Sequence, residues 1–212
     1  MPGRPDRTVV VIGTGTDVGK TWVTAALARR LVDQGVVVAA RKPAQSFAPE
    51  DRPEVRDAAV LGAATGEAPE VVCPPHRSYA VPLAPPMAAA VLGRPPIALA
   101  ELLRELAWPD PCAVGLVETV GGVRSPISHD ADGVALIEAL APDLVLLVAD
   151  AGLGTINLVR LTLAALAGPP VVTILNRFDP ADPLHRDNLS WLRDRDGRDV
   201  VSTVDEVVDR LG

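Results

Sequence analysis

The sequence predicts an α/β fold: a central, mostly parallel sheet with helices on both faces, in a single domain spanning residues 1–212. Three observations lead there. The strand-like segments are unbroken aliphatic runs without polar alternation, the pattern of strands buried on both faces. They alternate along the chain with segments of helical periodicity, as successive strand–helix units do. The length of 212 residues, 48% of them hydrophobic, suits one domain with a continuous core.

Taken in order, Thr8 to Ile12 is a β-branched strand, followed by glycines and a helix from Thr21 to Asp33 with apolar residues at Val23, Ala26, Leu27 and Leu31. Val36 to Ala40 predicts a second strand. Pro43 biases Lys42 away from helix and so leaves it at that strand's carboxyl end. Gln45 to Pro53 reads as loop, and Glu54 to Ala64 as a helix stopped near Gly66. Pro69 to Pro96 is proline-rich, with a short helix from Pro86 to Leu92, and Ile97 to Ala107 is helical. A third strand, Ala113 to Val117, ends at Glu118; a loop and a helix from Gly133 to Leu140 follow. Leu144 to Ala149 and Val171 to Leu175 are strands either side of a helix from Thr155 to Leu166. Asp182 to Arg193 reads as helix, and Val200 to Ser202 with Val204 to Leu211 completes the chain. No repeat or low-complexity tract interrupts the pattern.

Composition narrows the function classes. A net charge of −7 and a pI near 4.9 argue against a nucleic-acid binder. Met1 to Arg7 lacks the apolar run of a signal peptide, and no apolar stretch approaches the roughly 20 residues of a membrane helix, so a cytoplasmic protein without membrane contact is expected. Cys73 and Cys112 are far apart and have no metal-like spacing, which reads as buried or incidental thiols.

The segment Gly13-Thr14-Gly15-Thr16-Asp17-Val18-Gly19-Lys20-Thr21 carries the first chemistry. It departs from the usual phosphate-loop pattern, because Thr14 stands where the first glycine belongs. Its setting between a buried strand and an amphipathic helix makes it a phosphate loop of the P-loop NTPase fold. Small residues let successive amides turn inward at phosphate oxygens, and the following helix adds the positive end of its dipole. Gly15, Thr16, Asp17, Val18 and Gly19 would cradle the phosphates, Lys20 would reach the β/γ-phosphates, and the Thr21 hydroxyl would take Mg²⁺.

Ligands of such folds bind beyond the carboxyl ends of the strands, where Lys42, Glu118, Asp150 and Asn176 fall. Lys42 offers a second cation for a migrating phosphoryl group; the alternative is a surface lysine at a strand end. Glu118 sits where P-loop proteins hold Mg²⁺ by a carboxylate, with Gly121-Gly122 in a tight turn after it. By periodicity Asp57 faces solvent and reads as a surface charge. Asn176 is equally a base-reading or a turn-forming asparagine. His129-Asp130 reads as a solvated loop pair, His76 and His185 as incidental, and Trp22, Trp108 and Trp191 as packing residues.

From Thr8 to Asn176 these residues resemble dethiobiotin synthetase, the ATP-dependent enzyme that closes the ureido ring in biotin synthesis. The loop ending Val18-Gly19-Lys20-Thr21, the Lys42-Pro43 and Ser46 signature, Asp57-Ala58, Glu118 with Gly121-Gly122, and Gly152 to Asn157 are similar to that family's motifs. The resemblance implies that Thr21, Asp57 and Glu118 hold Mg²⁺, and that Lys20 and Lys42 contact ATP's phosphates and the reacting carbamate. It implies roles in the loop for Thr16 and Asp17, substrate contact for Ser46, and adenine recognition for Asn176. Thr155, Ile156 and Asn157 would receive the substrate carboxylate from the second subunit of a homodimer. The implied reaction joins CO₂ to 7,8-diaminononanoate, phosphorylates the carbamate with ATP and closes the ring. Departures from the family are Thr119-Val120 for Gly-Ala, Asp17 for the commoner glutamate, and Ala84-Pro85-Pro86-Met87 for Ser-Pro-His.

Other readings remain at this level. A corrin-ring amidase would bring a further glutamine-hydrolysing domain, for which 212 residues leave no room. Partition and division-site ATPases, which act as nucleotide switches, carry a second lysine four residues before Gly19, where this chain has Gly15. An inactive nucleotide-binding relative is a further alternative.

Overall fold

A computed structural model describes residues 3–211. The chain opens with β1 (Arg7–Gly13), α1 (Lys20–Asp33), β2 (Val38–Arg41) and the two-residue β3 (Gln45–Ser46). α2 (Asp57–Thr65), α3 (Pro69–Val72), β4 (Ser78–Tyr79), α4 (Pro85–Val91) and α5 (Leu99–Glu105) follow. The second half is β5 (Val114–Glu118), α6 (Gly133–Leu140), β6 (Leu144–Asp150), α7 (Thr155–Ala164), β7 (Val171–Asn176), α8 (Pro183–Ser190), β8 (Val200–Val201) and α9 (Val204–Asp209).

Six strands form one parallel sheet in the order β2-β5-β1-β6-β7-β8. β1 is central because its residues are apolar on both sides. Val9 and Val11 pack with Val23, Leu27 and Leu31 of α1, while Val10 and Ile12 pack with Leu136 and Ile137 of α6 and Val159 of α7. The expected parallel sheet covered on both faces is therefore present. Since every strand runs the same way, one rim of the sheet collects Gly13, Lys42, Glu118, Asp150 and Asn176.

Several boundaries differ from the sequence reading, each for a local reason. The helix expected from Glu54 begins at Asp57, because Pro53–Val55 makes a single 3₁₀ turn and Arg56 is extended. The segment read as loop after Pro43 contributes β3, which pairs with β4 from the proline-rich region. That region also forms α3 and α4, each with proline in its first turn, where a missing N–H costs nothing. The helix expected to run to Arg193 ends at Ser190 and loosens into a π-turn over Trp191–Arg195.

Leu27 is fully buried between α1 and the sheet. Leu27→Ala is expected to cost about 2–5 kcal/mol, seen in urea unfolding as a lower midpoint at unchanged slope.

Candidate active site

The phosphate loop joins β1 to α1, and two close approaches explain its glycines. A Cβ on Gly13 would meet the Val18 side chain at 2.8 Å, and one on Gly19 would lie 2.1 Å from Asn176 Nδ2. Gly19 also has φ of +90°, which a side chain disfavours. Thr14 is accommodated because the tight position is Gly13, one residue earlier than the usual pattern. Asp17 takes the left-handed conformation too, at φ of +59°. Arg177 braces it: the guanidinium donates to the Asp17 carbonyl at 2.8 Å and to Asp150 Oδ2 at 2.7 Å. Asn176 Nδ2 donates to the Val18 carbonyl at 2.9 Å, tying the end of β7 to the loop.

α1 starts at Lys20 and carries no acidic residue of its own in its first turn, so its amides and dipole face the cleft. Lys20 folds back, donating from Nζ to the Gly15 carbonyl at 2.9 Å. Burial, reinforced by neighbouring Lys42, lowers its pKa to about 8.

Beneath the loop lies a buried charge cluster. Lys42 is 2% exposed and Glu118 is 0% exposed. Lys42 Nζ donates to Glu118 Oε1 at 2.7 Å and to the Thr119 carbonyl at 2.9 Å, and pairs with Asp57 Oδ2 at 2.8 Å. Burial alone would push the ammonium's pKa down, but the two carboxylates outweigh it and hold it above its ordinary value. Burial likewise pulls the Asp57 carboxyl upward, and Lys42 overcomes this to leave it below its usual range. Asp57 thus faces the cluster from the first turn of α2; the surface position inferred from periodicity is corrected, because Leu61 and Ala64, four and seven residues on, are buried on the same face of that helix.

Thr21 Oγ1 lies 2.8 Å from Asp57 Oδ1 and 2.7 Å from Glu118 Oε1. One hydroxyl proton cannot serve both carboxylates. Converging hydroxyl and carboxylate oxygens with too few protons among them suit a hard divalent cation, which Mg²⁺ sites typically bind through one or two carboxylates beside phosphate oxygens. The residues present therefore fit magnesium.

The cleft above this cluster has a volume of about 740 Å³ and is bordered by Thr16, Lys20, Thr21, Lys42, Ser46 and Asp57. Ser46 Oγ is buried without a hydrogen-bond partner, so a hydroxyl at this border is uncommitted. A second cavity of about 660 Å³ continues past Gly19, Trp22 and Arg177 to Asn176 and the segment 202–205. Thr155, Ile156 and Asn157 begin α7 and do not border this chain's own cleft. Thr155 Oγ1 is nevertheless buried and unpartnered.

Trp22 corrects a second reading: it does not pack but is 63% exposed at the cavity wall. Trp191 is also half-exposed, whereas Trp108 does pack, lying over Gly115 and beneath Arg41. Arg177 and the segment 202–205 were not singled out from sequence, because their role depends on strands that meet only in the folded sheet. His129 and Asp130 accept backbone N–H groups of Ile97 and Leu99 and serve as a loop latch. Cys73 and Cys112 are buried, and burial pushes the Cys73 thiol up to about 12.

Removing Lys42 would strand Glu118 as an unpaired buried charge. Lys42→Met is expected to cost about 3–5 kcal/mol in chemical denaturation. Adding Glu118→Gln should recover part of it, giving a coupling energy that an exposed pair would not show.

The family model described as an AAA domain matches residues 7–208. An ATP-dependent dethiobiotin synthetase of Methylobacterium nodulans is 43% identical over 71% of this chain and 70% of the relative. That of Anaeromyxobacter dehalogenans is 39% identical over 90% and 87%, and one from another Anaeromyxobacter is 33% identical over 96% and 93%. Among solved structures, a putative plasmid partition protein of Borrelia burgdorferi bound to AMPPNP superposes with a TM-score of 0.56 at 13% identity, over 94% of this chain and 88% of that one. That likeness concerns the fold. The full-length sequence relationship, with the loop, the paired lysines and the two carboxylates in one cleft, places the chain in the ATP-dependent dethiobiotin synthetase family.

Proposed function

We propose that this chain closes the ureido ring of dethiobiotin from 7,8-diaminononanoate, CO₂ and ATP, releasing ADP and phosphate in the cytoplasm. The observation that carries the reading is Lys42, buried under the phosphate loop between Asp57 and Glu118. Its ammonium is held charged by those carboxylates, which makes it a fixed cation for developing negative charge and unsuited to proton abstraction.

The chemistry asks for little else. An amine adds to CO₂ and loses a proton, giving a carbamate. A carbamate oxygen attacks the γ-phosphorus and ADP departs. The second amine then attacks the carbamate carbon, phosphate leaves with that oxygen, and the ring closes. No enzyme nucleophile takes part, consistent with two buried thiols, of which burial holds the Cys73 thiol protonated. The backbone of Gly15 to Gly19 would cradle the phosphates with Thr16 and Asp17, and Lys20 would exchange its Gly15 carbonyl for phosphate oxygen. Mg²⁺, held by Thr21, Asp57 and Glu118, would supply charge neutralisation between the phosphates. Ser46, with its uncommitted hydroxyl, would meet the substrate. Asn176 has its amide nitrogen committed to Val18, leaving the carboxamide oxygen to offer a base.

The substrate carboxylate would be received by Thr155, Ile156 and Asn157 of a second copy, making the protein a homodimer. Supporting this, these residues are outside the chain's own cleft, and the solvent-facing side of the same region carries Leu153 at 90% and Leu161 at 62% exposure.

Product analysis after mixing protein with diaminononanoate, bicarbonate and Mg-ATP should give dethiobiotin in step with ADP. Lys42→Ala is expected to lower turnover on the order of 10²–10³-fold while nucleotide affinity, followed by calorimetry, changes little. Lys20→Ala should weaken nucleotide binding as well. ATP hydrolysis without dethiobiotin, or wild-type turnover in Lys42→Ala, would contradict the reading.

A further inference from the structure

The outward face of α1 is unusual beside the nucleotide cleft. Its inward stripe, Val23, Leu27 and Leu31, enters the core, and this register turns Trp22, Ala26 and Arg30 away from the core. In a protein with only 3% aromatic residues, an indole left 63% exposed on that outward stripe forgoes substantial burial. The stripe forms one wall of the 660 Å³ cavity, opposite the end of β7 and the segment 202–205.

The cavity is continuous with the phosphate cleft, since Gly19, Trp22 and Arg177 border both. A nucleotide whose phosphates occupy the loop therefore has its base and sugar directed past Trp22. At the far end Arg30 Nε lies 2.7 Å from Asp205 Oδ1. Asn176 Nδ2 donates to the Val18 carbonyl. The exposed aromatic side chain on the wall between them and the phosphate cleft is Trp22.

Resting on the reading of the cleft as a nucleoside triphosphate site, we propose that Trp22 is the base-stacking residue of that site. It supplies affinity for the base of the nucleotide through its ring face. Stacking on a ring face tolerates any base, because each has a π-face, whereas any choice between bases falls to edge contacts such as the Asn176 carboxamide oxygen.

The test separates base from phosphate. Equilibrium binding of ATP, GTP and inorganic tripolyphosphate is measured by calorimetry, with Mg²⁺, for the wild type, Trp22→Ala and Trp22→Phe. Trp22→Ala should weaken ATP and GTP by a similar factor, about tenfold or more, and leave tripolyphosphate unchanged. Trp22→Phe should keep most of the affinity, and the fluorescence change that ATP but not tripolyphosphate causes in the wild type should vanish in it. Unchanged ATP affinity in Trp22→Ala, or equal losses for ATP and tripolyphosphate, would overturn the proposal. A wild type that binds neither ligand would overturn the nucleotide-site reading itself, and the stacking role with it.

Discussion

The buried ion cluster of Lys42, Glu118 and Asp57 is the constraint around which the rest of the site is arranged. An isolated ammonium or carboxylate in a protein interior costs several kcal/mol even after relaxation, so neither Lys42 nor Glu118 is tolerable alone, and Asp57, with its side chain 34% exposed, completes the pairing from the rim. Lys42 must follow β2, Glu118 must end β5 and Asp57 must open α2 for the charges to meet. Thr21, in the first turn of α1, and Thr24, whose hydroxyl lies 2.7 Å from Glu118 Oε2, bring the fourth element in. A cluster of this kind is a poor way to gain stability, since well-packed apolar residues do as well or better. Its presence directly under a phosphate loop is better explained by chemistry that needs fixed charge in a dry place.

The same logic resolves the apparent conflict between an acidic protein of net charge −7 and a polyanionic ligand. The far field matters less than the local one. Loop amides, the α1 dipole and Lys20 create a positive locus above the Lys42 charge, which Asp57 and Glu118 balance, and the loop is clamped in shape from outside by Arg177 and Asn176. Both clamps come from the end of β7, on the opposite side of β6 from the loop's own strand. The left-handed conformations at Asp17 and Gly19 are thus supported by contacts within the chain itself.

The parallel sheet was legible in the sequence because strands buried on both faces leave an unmistakable aliphatic run, as in Thr8 to Ile12. Lys20, Thr21, Lys42 and Glu118 were legible because each follows such a run or the loop after it. Asp57 was legible only through the family resemblance; periodicity misplaced it on the surface, although Leu61 and Ala64, four and seven residues on, are buried on the same face of α2. Trp22 was misread because large apolar residues usually pack, and only the register of α1 shows that this one points outward. The segment 202–205 carries no motif; it reaches the cleft through the pairing of β8 with β7, a long-range fact. In the proline-rich stretch α4 was legible to within a residue at each end, whereas α3 was not, because a helix of four residues is too short to carry a periodicity of its own.

In the proposed reaction this arrangement serves one event, transfer of a phosphoryl group to a carbamate oxygen beside Lys42. Bicarbonate enriched in ¹⁸O, supplied with diaminononanoate and Mg-ATP and quenched before the label washes out, follows that oxygen. Phosphorylation of the carbamate requires its oxygen to depart with the phosphate on ring closure. Mass spectrometry should therefore find one labelled oxygen in the released phosphate for each dethiobiotin formed. Dethiobiotin accompanied by unlabelled phosphate would mean that the carbamate is never phosphorylated and would contradict the role assigned to the cluster.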